Sequence, residues 1–387
     1  MSVKDPDPLG LAGQVVEGPF RLLRPIGKGG FSVVYRGTHL GSDTPVAVKC
    51  LRLAAGLDEE STRTVERRFR DEGRLLRRLG QGSPDTVRCL ASGMTTSPRT
   101  GAPVPYLVLE WLEGRSLSAD LRERKQRGLS GRPLDEALAL LEPAAIALEH
   151  AHRQGVVHRD VKPGNLFEVT TPGGGVRMKV LDFGLAKILA DTLGITRAKT
   201  ATGYLACSPR YAAPEQFDSS RGEVGPWTDV YALALVLLEV LRDERVRKAE
   251  GIAACMMEAT DPRAKVTPHA LGLVLPTRVE RALVRAVAID LKLRHQSAGE
   301  LWADLTRVAR ASGQLPPPSS SGSLPRSVPA PPPASSSVPI AFGPAPASGP
   351  APAPAPGERS ARGVVAILSL VILGVALAAA LLWWATR

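Results

Sequence analysis

Cysteines and aromatics are scarce in this chain, and its histidines and cysteines form no metal-ligating cluster. The four cysteines, Cys50, Cys89, Cys207 and Cys255, are scattered over 387 residues. That spacing excludes a disulfide framework and a zinc site, and it fits a reducing compartment. The six histidines form no ligand group either. Aromatic residues make up 4% of the chain and are not interleaved with the basic ones. A net charge of +11 therefore does not read as a nucleic-acid surface, because its arginines and lysines are spread out rather than gathered in a stripe. No nucleic-acid partner is expected, although the same excess favours an anionic membrane face. Met1–Gly18 is short, mixed and acid-containing, so no secretory signal segment is expected there. No internal repeat of about 20 to 50 residues is visible.

Two stretches near the C-terminus depart from globular composition. From Gly313 to Gly357, Pro, Ala, Ser and Gly dominate, with Pro316-Pro317-Pro318, Pro331-Pro332-Pro333 and an alternating Pro/Ala run at 344–356. Such a segment cannot bury enough apolar surface to fold. At ~3.1 Å per residue in polyproline II it is expected to act as a spacer on the order of 100 Å, or else to recruit a proline-recognition domain. Residues 363–385, 23 in all, carry no charge and match the ~20 residues that cross a hydrocarbon core as a helix. Trp383 and Trp384 suit the interfacial belt, while Arg359 and Arg362 against Arg387 favour a cytoplasmic location for what precedes. The expected organisation is a tail over 1–19, one folded domain over 20–308, a disordered linker over 313–362 and one transmembrane helix over 363–385.

The most informative string is His158-Arg159-Asp160-Val161-Lys162-Pro163-Gly164-Asn165, followed by Asp182-Phe183-Gly184. It supplies two acids, an amide and a lysine in an order that suits phosphoryl transfer. That chemistry needs an acid to accept the hydrogen bond of an attacking hydroxyl, and oxygen ligands to hold Mg²⁺. Upstream, Ile26-Gly27-Lys28-Gly29-Gly30-Phe31-Ser32-Val33-Val34-Tyr35 offers side-chain-free positions at which backbone N–H groups approach phosphates. Val46-Ala47-Val48-Lys49 alternates as a strand and ends on a lysine. Downstream lie Ala213-Pro214-Glu215 and Trp227-Thr228-Asp229. Together these motifs resemble eukaryotic-type serine/threonine protein kinases of the bacterial membrane-anchored kind. Lys162, two residues after Asp160, is the serine/threonine form of the loop.

The resemblance implies an α+β, two-lobed fold, with a small β-rich lobe over about 20–110 and a larger helical lobe over about 114–308, using ATP and Mg²⁺. Asp160, Lys162 and Asn165 would be the catalytic set, and Asn165 with Asp182 the metal ligands. Ile26, Gly27, Gly29, Val34, Ala47 and Lys49 would line the nucleotide site, with Leu109 at its back and the backbone of Glu110 and Leu112 bonding adenine. Glu72 lies in a segment, Val65 to Leu79, whose Phe69, Leu75, Leu76 and Leu79 fall at helical spacing. It is the implied partner of Lys49, although an intrahelical pair with Arg68 is the alternative. Glu215 would pair with Arg294, and Asp229 would brace the catalytic loop.

Arg159 before Asp160 implies an activation segment ordered by a phosphate. Thr200 and Thr202 are the candidates for it, ahead of Thr192 and Thr196. Ser208 stands where the family usually has a threonine, and Cys207 and Ala234 replace usual glycines. The expected function is transfer of the ATP γ-phosphate to protein serine or threonine hydroxyls, with autophosphorylation between copies in a homodimer. Protein substrates and the lipid bilayer are the expected partners. A scaffold that binds nucleotide without transfer is the alternative, and a small-molecule phosphotransferase of the same fold is a further one.

Overall fold

A computed structural model describes residues 7–16, 18–29, 32–53, 59–170, 175–183, 208–261, 263 and 266–316, except the side chains of 59, 61, 68 and 72. All of these belong to one compact unit, residues 1–320. The expected linker and the apolar run 363–385 lie outside the described residues. Among the described residues no helix is long and apolar enough to cross a membrane.

The small lobe is an antiparallel sheet of six strands: β1 (Val15–Val16), β2 (Phe20–Lys28), β3 (Ser32–His39), β4 (Thr44–Leu51), β5 (Cys89–Thr96) and β6 (Pro103–Glu110), in the order β1-β2-β3-β4-β6-β5. Period-two alternation divides its faces. Val33 and Tyr35 of β3 and Val46 and Val48 of β4 are fully buried in one core, while Val34 and Ala47 between them point the other way and are half-buried. That second face meets helix α1 (Glu59–Gly82), which extends beyond the 65–79 stretch that periodicity marks. Val65, Phe69, Leu76 and Leu79 of α1 form its buried stripe, as i, i+4, i+11, i+14 positions must on a 3.6-residue repeat.

The expected N-terminal boundary needs correction. Residues 1–19 are not a tail throughout, because Leu9, Leu11 and Val16 belong to the small-lobe core and β1 pairs with β2. Tyr35 donates its hydroxyl to Asp7 Oδ1 at 2.5 Å, and Ser97 Oγ donates to the Leu9 carbonyl at 2.8 Å. A two-residue strand joined to its neighbour by a turn leaves no periodicity to read.

The large lobe is helical: α2 (Leu117–Gln126), α3 (Leu134–Arg153), α4 (Pro214–Phe217), α5 (Pro226–Arg242), α6 (Ile252–Thr260), α7 (Thr277–Ala286) and α8 (Ala298–Ala311). A three-stranded sheet, β7 (Gly114–Ser116), β8 (Leu166–Thr170) and β9 (Val176–Val180), lies against it in that order. Every residue of α5 from Thr228 to Leu241 is buried, which marks it as the central helix, since a helix apolar all round has no solvent face. Pro226 starts it at the one position where a missing N–H costs nothing. β8 and β9 pair antiparallel, in a register that runs from Leu166 opposite Val180 to Thr170 opposite Val176.

Candidate active site

Residues 158–162 form neither helix nor strand, so their shape must be fixed by other elements. Asp229, buried in the first turn of α5, accepts the N–H of His158 at 2.7 Å and of Arg159 at 2.8 Å, and bonds His152 of α3 at 2.9 Å. A buried carboxylate with three partners is a stiff anchor. Gln216 adds an N–H to the Arg159 carbonyl at 2.9 Å. Between these holds, Arg159 adopts φ +68°, which a residue with a Cβ rarely takes.

His158 is spent on packing. Its Nε2 donates to the Leu181 carbonyl at 2.7 Å, its Nδ1 accepts the Asp160 N–H at 3.2 Å, and its ring lies 4.8 Å from that of Phe183. With both nitrogens used, the imidazole has none left to act as a base.

The Asp160 carboxylate is the meeting point of the loop. Lys162 Nζ lies 2.7 Å from Asp160 Oδ2 and 2.7 Å from Ser208 Oγ, and the Ser208 N–H donates to Asp160 Oδ1 at 2.9 Å. Asn165 Nδ2 donates to the Asp160 carbonyl at 2.8 Å and to Oδ2 at 3.2 Å. Since the amide nitrogen is committed to Asp160, the amide oxygen is the end free to serve as a ligand.

Asp182 also sits in the left-handed region, at φ +54°. Lys49 Nζ lies 2.7 Å from its Oδ1, with side-chain exposures of 11% for Lys49 and 36% for Asp182. Burial pushes this carboxyl up, but the charge and hydrogen bond of Lys49 outweigh it and hold the group below the usual range. Asp182 is therefore ionised at neutral pH. Its carboxylate and the Asn165 amide oxygen are hard oxygen donors, the set Mg²⁺ takes when phosphates and water complete its shell.

The strands place the remaining candidates by register. Gly27 pairs with Val34, Val34 with Lys49, and Ala47 with Leu109, so Val34, Ala47 and Lys49 share one face. The Gly29 N–H donates to the Ser32 carbonyl at 2.8 Å, and Ile26 is exposed on β2. Leu112 is half-buried between β6 and β7. The Glu110 side chain accepts from Lys179 Nζ and from Arg88 Nε and N–H. Burial pushes that carboxyl up, and these donors bring it below its ordinary value.

Deeper in the large lobe, Arg294 grips Glu215 through two bonds of 2.9 and 3.1 Å, both side chains fully buried. Thr228 Oγ1 donates to the same carboxylate at 2.7 Å. Thr200 and Thr202 lie outside the described residues, as does the Glu72 side chain; the backbone of Glu72 is on α1. Sequence reasoning missed His152, Gln216 and Lys179. Each acts across a long sequence separation, and although Gln216 follows Glu215 directly, Lys179 precedes Asp182 by three residues and His152 precedes His158 by six, no motif names their partners.

The protein kinase domain family matches residues 20–270. The chain belongs to that family. It is 33% identical over 282 residues to the serine/threonine-protein kinase Pkn1 of Myxococcus xanthus, covering 72% of this chain and 37% of Pkn1. It is 32% identical over 330 residues to the serine/threonine-protein kinase PknA of Mycobacterium tuberculosis, covering 85% of this chain and 70% of PknA. The chain thus spans well under half the length of several curated relatives, 24% in the case of PknK. Among solved structures, the PknI kinase domain of Mycobacterium tuberculosis superposes with a TM-score of 0.55 at 23% identity, over 77% of this chain and 99% of that one. That likeness shows the fold: two-lobed, as in other protein kinases.

Proposed function

We propose that this chain is a serine/threonine protein kinase that transfers the ATP γ-phosphate to protein hydroxyls. The observation that carries the reading is the convergence of Lys162, Asn165 and Ser208 on the Asp160 carboxylate, in a chain that also holds an ionised Asp182 against Lys49. Asp160 accepts the hydrogen bond of the incoming hydroxyl and aims its oxygen at the γ-phosphorus. Lys162, held between Asp160 and Ser208, offsets charge on the transferred group. Lys49 contacts the α- and β-phosphates, and Val34 and Ala47 cover the adenine. Asn165 and Asp182 hold the cation, which when bound neutralises charge on the phosphate oxygens.

The remaining parts of the reading are supported by sequence. A charge-free run over 363–385 supports a single membrane span, with the folded domain cytoplasmic and the Pro-rich segment as its tether. Arg159 ahead of Asp160 supports activation by phosphorylation of Thr200 or Thr202 by a second copy.

The test is labelled ATP with Mg²⁺ and the full chain in vesicles, beside Asp160→Asn. Label is expected on serine or threonine of added protein and on Thr200 or Thr202, with none made by the variant alone. The variant should still accept label from active wild type. Equal labelling by both proteins overturns the reading.

A further inference from the structure

A cavity of about 790 Å³ opens beside the catalytic loop, with Lys162, Pro163 and Gly164 on its floor next to Tyr211. One wall is α2 and the other is the stretch that follows α5. Lys162 belongs both to the cavity lining and to the Asp160 contacts, so the cavity adjoins the acid to which a hydroxyl would be presented.

The charges around it are not balanced. Four carboxylates border the cavity: Asp243 and Glu239 are buried and engaged, while Glu244 and Glu250 are exposed and only loosely paired. Asp243 is buried beneath Arg124 at 2.8 Å, and Glu239 accepts a hydrogen bond from the Tyr211 hydroxyl at 2.6 Å. Glu250 lies 3.8 Å from Arg210, and Glu244 is shared between Arg242 at 3.3 Å and Lys248 at 3.8 Å. The cations are less committed. Arg122 and Lys125 on α2 and Arg245 beyond α5 are exposed, and none has an ion pair among the described residues. The pair made by Lys248 is long and exposed, the kind worth little.

Positive charge of this sort, beside the hydroxyl-accepting acid, selects for an anionic partner and against a cationic one. Resting on the proposed kinase activity, we infer that the preferred substrates are protein segments carrying Asp or Glu close to the accepting serine or threonine. The chain's own activation region is the opposite. From Thr192 through Pro214 it has no acidic residue, and Arg197 and Lys199 precede Thr200. Self-modification is therefore the slower reaction, and an acid-flanked foreign substrate the faster.

The experiment uses the full chain with three peptides of equal length: one flanked by Asp and Glu, one by Arg and Lys, and one copying residues 194–206. At low salt, KM for the acidic peptide should lie on the order of tenfold or more below the other two, as expected for several weak ion pairs acting together. The gap should shrink as salt is raised. Charge reversal in Arg122→Glu with Lys125→Glu, or in Arg245→Glu with Lys248→Glu, should narrow or invert the ranking through KM. The KM for ATP and kcat at saturating peptide should hold, which separates this result from misfolding. Equal KM for the acidic and basic peptides, or a preference for the basic one, overturns the substrate class. A ranking unmoved by both reversals overturns the role of the cavity. Absence of transfer to any peptide or protein overturns instead the kinase reading beneath.

Discussion

Two ion pairs of the same chemistry lie in this molecule and do different work. Arg294 and Glu215 are both 0% exposed and bonded twice, with Thr228 as a third partner. Lys49 and Asp182 make one contact, at 11% and 36% exposure. The first pair has no room for a ligand and every incentive to stay closed, since opening it strands two charges in a dry interior. The second is half-open on the Asp182 side, which leaves room for phosphate or metal to approach. Burial depth, more than residue type, separates the brace from the working pair.

Substitutions should pull the two pairs apart. Arg294→Ala should cost about 3–5 kcal/mol in denaturant unfolding, by leaving Glu215 unpaired, while Arg294→Met combined with Glu215→Leu should recover much of it. An unchanged midpoint for Arg294→Ala would erase the distinction from one side. Asp182→Asn should lower kcat by about 10²–10³-fold or more and leave the unfolding midpoint nearly unmoved. Loss of folding there would erase it from the other side.

Tyr35→Phe provides an intermediate case, because its hydroxyl bond to Asp7 joins the N-terminal segment to the sheet. A loss of about 1 kcal/mol is expected, with faster amide exchange over Leu9 to Val16. Exchange at the wild-type rate would return that segment to the status of a tail.

The smallest effect concerns Glu110. Its carboxyl is pushed up by burial but held below its ordinary 4.5 by Lys179 and Arg88. Its contribution to stability is thus present above pH about 4.5 and lost as pH falls through the lower folded value. Glu110→Gln should flatten the acid limb of the stability curve below that pH, whereas a steeper limb would reverse the sign of the argument.

Much of this organisation is legible in the residues themselves. The alternation of Val46-Ala47-Val48-Lys49 places Ala47 and Lys49 on the face opposite the valines, and the spacing of Phe69, Leu76 and Leu79 marks α1. The Asp160 loop and Asp182 read as a set because their spacing is short and local. The distant contacts of Asp229 with the loop and of Glu215 with Arg294 are legible only through the family resemblance, and what stays hidden is the distant contact that no motif carries. His152 on Asp229 and Lys179 on Glu110 are of that kind, and the packing of Leu9 and Leu11 leaves no periodic trace. The charge balance of the cavity beside Lys162 is likewise invisible in sequence, because α2, the catalytic loop and the stretch after α5 meet there only in the fold.

Calorimetric binding of a non-hydrolysable ATP analogue, with and without Mg²⁺, to wild type and Asp182→Asn puts the working pair to the test. Wild type should bind more tightly when Mg²⁺ is present, and the variant should lose that dependence while remaining folded. Identical Mg²⁺ dependence in both proteins, or no nucleotide binding by wild type, would contradict the assignment of Lys49 and Asp182 to the nucleotide site.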